Sequence, residues 1–154
     1  MKAEYINPFL EAATGVIEQV IQVRPSTGQL AIQEMVFAKN YTWILIGLNG
    51  QLQGEIVFGL SDHVAMHLVS AMMGGYVIHE VDEMARSAIS ELGNMISGNA
   101  STLFYNVGIH VDITPPIVVE EVSWIAQYAS KRALTIPLMM EGIGDLDLQV
   151  IIAS

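Results

Sequence analysis

The dipeptide Asn49-Gly50 separates two apolar runs, 41–48 and 51–60. Asn-Gly is the strongest short-range hairpin signal, because a type I′ turn needs positive φ at both central residues. The first run holds Tyr41, Thr42, Trp43, Ile44 and Ile46, residue types that fit a pleated, half-buried surface. Strands joined this tightly run antiparallel. In the second run Glu55 is expected to face water. A second hairpin is expected at the C-terminus, where 133–140 and 146–153 flank Glu141-Gly-Ile-Gly-Asp145. Two hairpins and too few βαβ units exclude a doubly wound parallel sheet.

The remaining segments follow the helical period. Asn7 or the residue before it is expected to cap a first helix, with Pro8 at its first position. Phe9, Leu10, Ala13, Val16, Ile17, Val20 and Ile21 then recur every three to four residues. That helix is expected to end before Pro25, because Arg24 is steered away from helical angles. Ser61-Asp62 offers the cap of a short helix that stops at Gly74-Gly75. Asp82-Glu83 opens a longer one reaching about Tyr105. Val111, Asp112 and Ile113 read as a strand, followed by the stiff Thr114-Pro115-Pro116. A strand or a short helix is expected around Glu120 to Trp124. Each half of the chain thus has a helix followed by a strand pair, a weak internal pseudo-repeat. The expected fold is α/β of the α+β type: one domain, 1–154, with a mainly antiparallel sheet and long helices packed on it.

Composition narrows function. Hydrophobic residues make up 52% of the 154 and charged residues 14%, against a typical charged share of about 25%. A disordered chain and a coiled coil are excluded. Sixteen acids against six bases give a net charge of −10. Phosphate backbones are neutralised by Lys and Arg, so nucleic acid is not an expected partner. No cysteine is present, which removes disulfide scaffolds, thiol catalysis and Cys-based zinc sites. No run of 18 apolar residues suggests a membrane span. Glu4 and Glu11 interrupt the N-terminal segment, so no signal peptide is expected and the expected location is cytoplasmic.

The informative segment is the longer helix. Met84, Ala85, Ala88, Ile89, Leu92, Met95, Ile96 and Leu103 form one apolar stripe, expected to pack on the sheet. Ser87, Glu91, Asn94, Gly98 and Ser101 form the opposite stripe, one above another. That outer row holds hardly any long side chain besides Glu91 and Asn94. Gly93 and Gly98 each cost a helix about 1 kcal/mol relative to Ala. Either another backbone comes very close here, or a partner docks. No His, paired carboxylate or nucleophile–base pair stands at fixed helical distance from Glu91 and Asn94. The pair looks like half of a site that another molecule completes.

The run Glu91-Leu-Gly-Asn94-Met-Ile-Ser-Gly98-Asn99-Ala resembles the Glu-x-x-Asn helix of the CheC/CheX/FliY family of chemotaxis phosphatases. An acid or Ser stands four residues before the Glu in that family, and Ser87 matches. A Pro follows about twenty-two residues after the Asn, matching Pro116 or its neighbour Pro115. The helix and hairpin order matches over nearly the whole chain. The resemblance implies a CheC-like fold and a phosphatase acting on a CheY-type response regulator phosphorylated on aspartate. The Mg²⁺ of that reaction is expected on the phosphorylated partner, with no cofactor bound by this chain. Asn94 would orient the attacking water, Glu91 would pair with the regulator's active-site lysine, and Ser87, Gly98 and Pro116 would shape the contact surface. Glu11-Ala-Ala-Thr14 in the first helix has Thr where the motif has Asn, so one working site is expected. That one-site pattern is similar to the CheX members, which implies a homodimer whose sheets meet edge to edge.

Two other readings accompany this one. A non-catalytic adaptor that binds a receiver or a flagellar-switch component would use the same face. His63 and His67 stand at i, i+4, the spacing of a zinc-binding helix, but Val64 occupies the place of the zincin glutamate. The methionines and Trp43 and Trp124 read as packing residues, and no phosphate-binding loop or nucleophile elbow is present.

Overall fold

In the computed structural model, which describes residues 3–35, 37–119 and 131–152, three helices lie on one antiparallel sheet. Helix α1 spans Ala3–Ile21, α2 spans Asp62–Met72 and α3 spans Glu83–Asn106. The strands are β1 (Ser26–Thr27), β2 (Ala31–Glu34), β3 (Tyr41–Gly50), β4 (Gly54–Ser61), β5 (Val111–Ile113), β6 (Ile117–Val119), β7 (Arg132–Met140) and β8 (Gly144–Ile152). The sheet order is β1-β7-β8-β4-β3-β5, with β2 also on β7 and β6 also on β3.

The caps of α2 and α3 lie where the sequence places them. Ser61 accepts the amide of Val64, and Asp82 accepts that of Ala85. Each thereby satisfies one amide that the first helical turn leaves open. Gly74 and Gly75, both at positive φ, follow the end of α2. The start of α1 differs from expectation: it begins at Ala3, and Pro8 lies inside it. Proline lacks the N–H that would reach back to the Glu4 carbonyl, so one bond of the ladder is missing. Burial of Ile6, Pro8 and Phe9 holds the extra turn in place. The helix ends at Ile21, followed by Gln22 in the left-handed region.

The first hairpin also differs. Asn49 and Gly50 do not turn; they continue β3 and pair with Asp112 and Val111 of β5. A Cβ at Gly50 would stand 2.8 Å from the His110 carbonyl, so glycine admits the neighbouring strand. Gln51 donates its amide to the His110 carbonyl and accepts the amide of His110 at its side-chain oxygen. The reversal shifts to 51–53, and Leu52 plugs into the core. A third strand outcompetes the local turn preference. Glu55 is half-buried. The C-terminal hairpin pairs as expected over its described part, Leu138 facing Leu146 and Ile136 facing Leu148. Strands β1 and β2 have no counterpart in the sequence reading. The segment Glu120 to Trp124 lies outside the described residues.

The pseudo-repeat is visible in the sheet. Each half contributes a helix, two short strands and a long hairpin, and the short strands of one half pair with the hairpin of the other. Helices α1 and α3 pack together over the sheet, with Phe9 and Phe104 edge to face at 5.3 Å. The main core lies between the helices and one sheet face. It includes Phe9, Ile17, Ile44, Phe58, Leu60, Leu68, Ile89, Leu92, Ile96 and Phe104. A smaller cluster around Trp43, Leu45, Val57 and Ile151 sits on the other face.

The candidate docking face on the long helix

Burial on α3 divides its sides. Ala85, Ile89, Leu92, Ile96, Ala100 and Phe104 are fully buried. Met84, expected on that stripe, is 52% exposed, because it falls on the flank of the stripe, about 100° round the helix from the fully buried Ala85. Gly93 and Ser97 take buried places instead. All five members of the opposite row, Ser87, Glu91, Asn94, Gly98 and Ser101, are exposed. Tyr105, one further step along the row, is 78% exposed. Glu91 and Asn94 are neighbours on this surface by their i, i+3 spacing.

The two glycines have different explanations. A Cβ at Gly93 would stand 3.0 Å from the Cγ2 of Ile44 and 3.0 Å from the Cβ of Pro116. Gly93 therefore admits close contact from the sheet and from the proline segment. A Cβ at Gly98 would meet nothing within 4 Å, so its outer side is open to an incoming surface. Pro116, partly buried, is the proline that touches the helix, while Pro115 is exposed.

The proline segment is a bulge between β5 and β6. Leu48 faces Ile113 and Leu45 faces Ile117, so Thr114, Pro115 and Pro116 oppose only Ile46 and Gly47. Prolines cannot donate to a ladder, and a bulge is where they fit. Thr114 anchors it at both ends of one residue: its amide donates to the Gly47 carbonyl at 3.0 Å, and its hydroxyl accepts the Gly47 amide at 2.8 Å. The sequence signal for this anchor is only the stiff Thr-Pro-Pro, which does not name its partner.

The other half has the same bulge. Thr27 faces Leu138 and Ala31 faces Thr135, so Gly28, Gln29 and Leu30 oppose Ile136 and Pro137. Leu30 thus occupies the place of Pro116. On α1, Glu11 is exposed like Glu91, but Thr14 is buried and its hydroxyl donates to the Leu10 carbonyl at 2.6 Å.

The remaining candidates lie apart from this row. His63 and His67 on α2 are exposed, with ring centroids 4.7 Å apart, beside Met66, Ser70, Val77 and Ile78. Among the described residues no group of three or more His, Asp or Glu side chains is placed to hold an ion. Asp147 lies on the sheet face away from the helices; burial and then the nearby Asp145 raise its pKa above the ordinary carboxylate value. No helix of the described residues is long and apolar enough to cross a membrane.

A two-fold repeated α+β sheet with a carboxylate–carboxamide pair exposed on its long helix defines a class, the CheC-like fold. A CheC-like superfamily protein from Shewanella sp. PV-4 superposes with a TM-score of 0.83 at 22% identity, covering 100% of both chains. The CheX of a CheX–CheY–BeF3–Mg²⁺ complex from Borrelia burgdorferi superposes at 0.79 with 24% identity, over 97% of this chain and 98% of that one. The family model described as chemotaxis phosphatase CheX matches residues 43–139. The chain is 36% identical over 119 residues to the CheY-P phosphatase CheX of Thermotoga maritima, covering 77% of each. This chain belongs to the CheX family of chemotaxis phosphatases.

Proposed function

We propose that this chain dephosphorylates the aspartyl phosphate of a CheY-type response regulator by docking α3 into the regulator's active site. The observation that carries this is the exposed pair Glu91 and Asn94, flanked along the row by the small residues Ser87, Gly98 and Ser101. Phosphoryl transfer needs little covalent help, so positioning supplies much of the acceleration. Asn94, with an amide that both donates and accepts, orients the attacking water in line. Glu91 pairs with the regulator's lysine and anchors the helix. Ser87 and Gly98 let the two surfaces approach, and Pro116 forms the wall beside the pair. The Mg²⁺ in this reading belongs to the regulator, and the chain supplies no cofactor of its own.

One working site is part of the proposal. The buried Thr14 spends its hydroxyl on its own helix, and Leu30 replaces the proline wall. The first half therefore projects Glu11 with no carboxamide three residues further on, where the motif needs one.

Decay of a phosphorylated CheY-type receiver, followed with purified components, tests this reading. Wild type is expected to accelerate it; tight binding without acceleration would make the chain an adaptor instead. In Glu91→Ala, affinity for the receiver is expected to fall on the order of tenfold, the scale of one lost charge-assisted hydrogen bond. Maximal turnover is expected to fall less, and an unchanged affinity would remove the anchoring role.

A homodimer through sheet edges completes the proposal. Among the described residues β2 pairs only with β7, and it is exposed throughout, with Ile32 at 66%; strand pairing at such an edge is a ready route to association. Sedimentation at the monomer mass at micromolar concentration would contradict it.

A further inference from the structure

We propose that Thr114 is a positioning residue for the dephosphorylation reaction, acting on Glu91 and Asn94 through Pro116 and Gly93; this rests on the phosphatase reading above. In an unbroken ladder the amide of Gly47 would bond a main-chain carbonyl of the facing strand. Here the Thr114 hydroxyl takes that amide at 2.8 Å, while the Thr114 amide keeps its bond to the Gly47 carbonyl. A side-chain oxygen has replaced a backbone one, and the chain is released from the ladder at that point. The two following residues lack N–H groups and need no partner there. The released segment places Pro116 against Gly93, where even a Cβ would come to 3.0 Å.

Gly93 lies between Glu91 and Asn94 on the same helical turn. A stiff ring pressed against the buried side of that turn sets the rotation of the helix about its axis. The outward directions of the two functional side chains follow from it. Gly47 is suited to this arrangement, since a Cβ there would meet the Thr114 side chain at 3.1 Å. The equivalent bulge in the first half has Gly28, whose amide bonds the Pro137 carbonyl and which has no hydroxyl to offer. The hydroxyl anchor is thus built only into the half whose helix carries the asparagine.

The test compares wild type, Thr114→Val and Thr114→Ser on a phosphorylated CheY-type receiver, with melting curves and amide exchange of Gly47. Valine keeps the shape and removes the acceptor. Its kcat is expected to fall by up to about 10²-fold, the scale of a group misplaced by about 1 Å, with KM within about twofold of wild type, because the docking surface is unchanged. Exchange at the Gly47 amide is expected to speed up. Serine restores the hydroxyl and is expected to recover kcat. A wild-type kcat in folded Thr114→Val overturns the inference. So does a loss that follows a lowered melting point and is not recovered by serine. Should the valine variant fail to fold, Pro116→Ala must show the same kcat loss, and its retention of kcat would overturn the inference equally. If wild-type protein itself does not accelerate decay, the phosphatase reading fails first, and the outcome is distinct.

Discussion

Asn94→Ala is expected to remove most of the acceleration of receiver dephosphorylation while leaving binding intact. The side chain is exposed on α3 and lies outside the core, so truncation leaves the fold undisturbed. In the mechanism proposed above, what is lost is the group that holds water in line with the phosphorus. Removing one preorganised hydrogen-bonding group from a comparable site costs on the order of 10²-fold or more in rate. Binding is expected to survive because the proposed anchor Glu91 and the small-residue surface remain. Affinity is read most cleanly with the receiver carrying beryllofluoride, a stable mimic of the phosphoryl group, and turnover with the phosphorylated form. A decay rate equal to that of wild type would end the mechanism proposed for this chain.

The largest expected loss of stability lies beneath that face. Phe104 on α3 is 1% exposed and meets Phe9 of α1 edge to face at 5.3 Å. The pair joins the two long helices over the sheet. Phe104→Ala would leave a cavity between elements that strand pairing and neighbouring core residues prevent from collapsing. Substitutions of this kind cost about 3–5 kcal/mol. Urea unfolding of the variant is expected to show a loss of that size with an unchanged slope. A shift below about 1 kcal/mol would mean that the helices repack freely, and the rigid placement of α3 would then need another source.

Much of the candidate site was legible because its signals are local. Asp82 caps α3 through an amide three residues away. The row Ser87, Glu91, Asn94, Gly98 and Ser101 follows from helical spacing alone, and every member is exposed. Gly93 was also marked, as a residue that costs a helix stability without local benefit. What it accommodates was not legible, since Ile44 and Pro116 come from distant elements. The apolar stripe is buried along its centre and exposed at Met84, which lies on its flank beside the fully buried Ala85.

The hairpins show the same boundary. Residue types predicted strands on both sides of Asn49-Gly50, and those strands exist. The turn itself moved because β5 pairs with Asn49 and Gly50, and a run of ladder bonds outweighs one turn preference. Strands β1 and β2 are two and four residues long. They are too short to show a period and exist only because β7 offers them an edge.

The amino-acid sequence by itself determined the three helices and the caps of α2 and α3, the strands of the two long hairpins, and which side of α3 carries Glu91 and Asn94. Such features depend on contacts within about one turn or one strand pleat. Only the tertiary structure decided which proline meets the helix and where the first hairpin turns. It also decided that Thr14 is buried while Asn94 is exposed, and what holds the proline segment in place. The Gly47–Thr114 bond joins residues 67 apart in the chain. Its geometry depends on the pairing of whole strands, which no local period or propensity encodes.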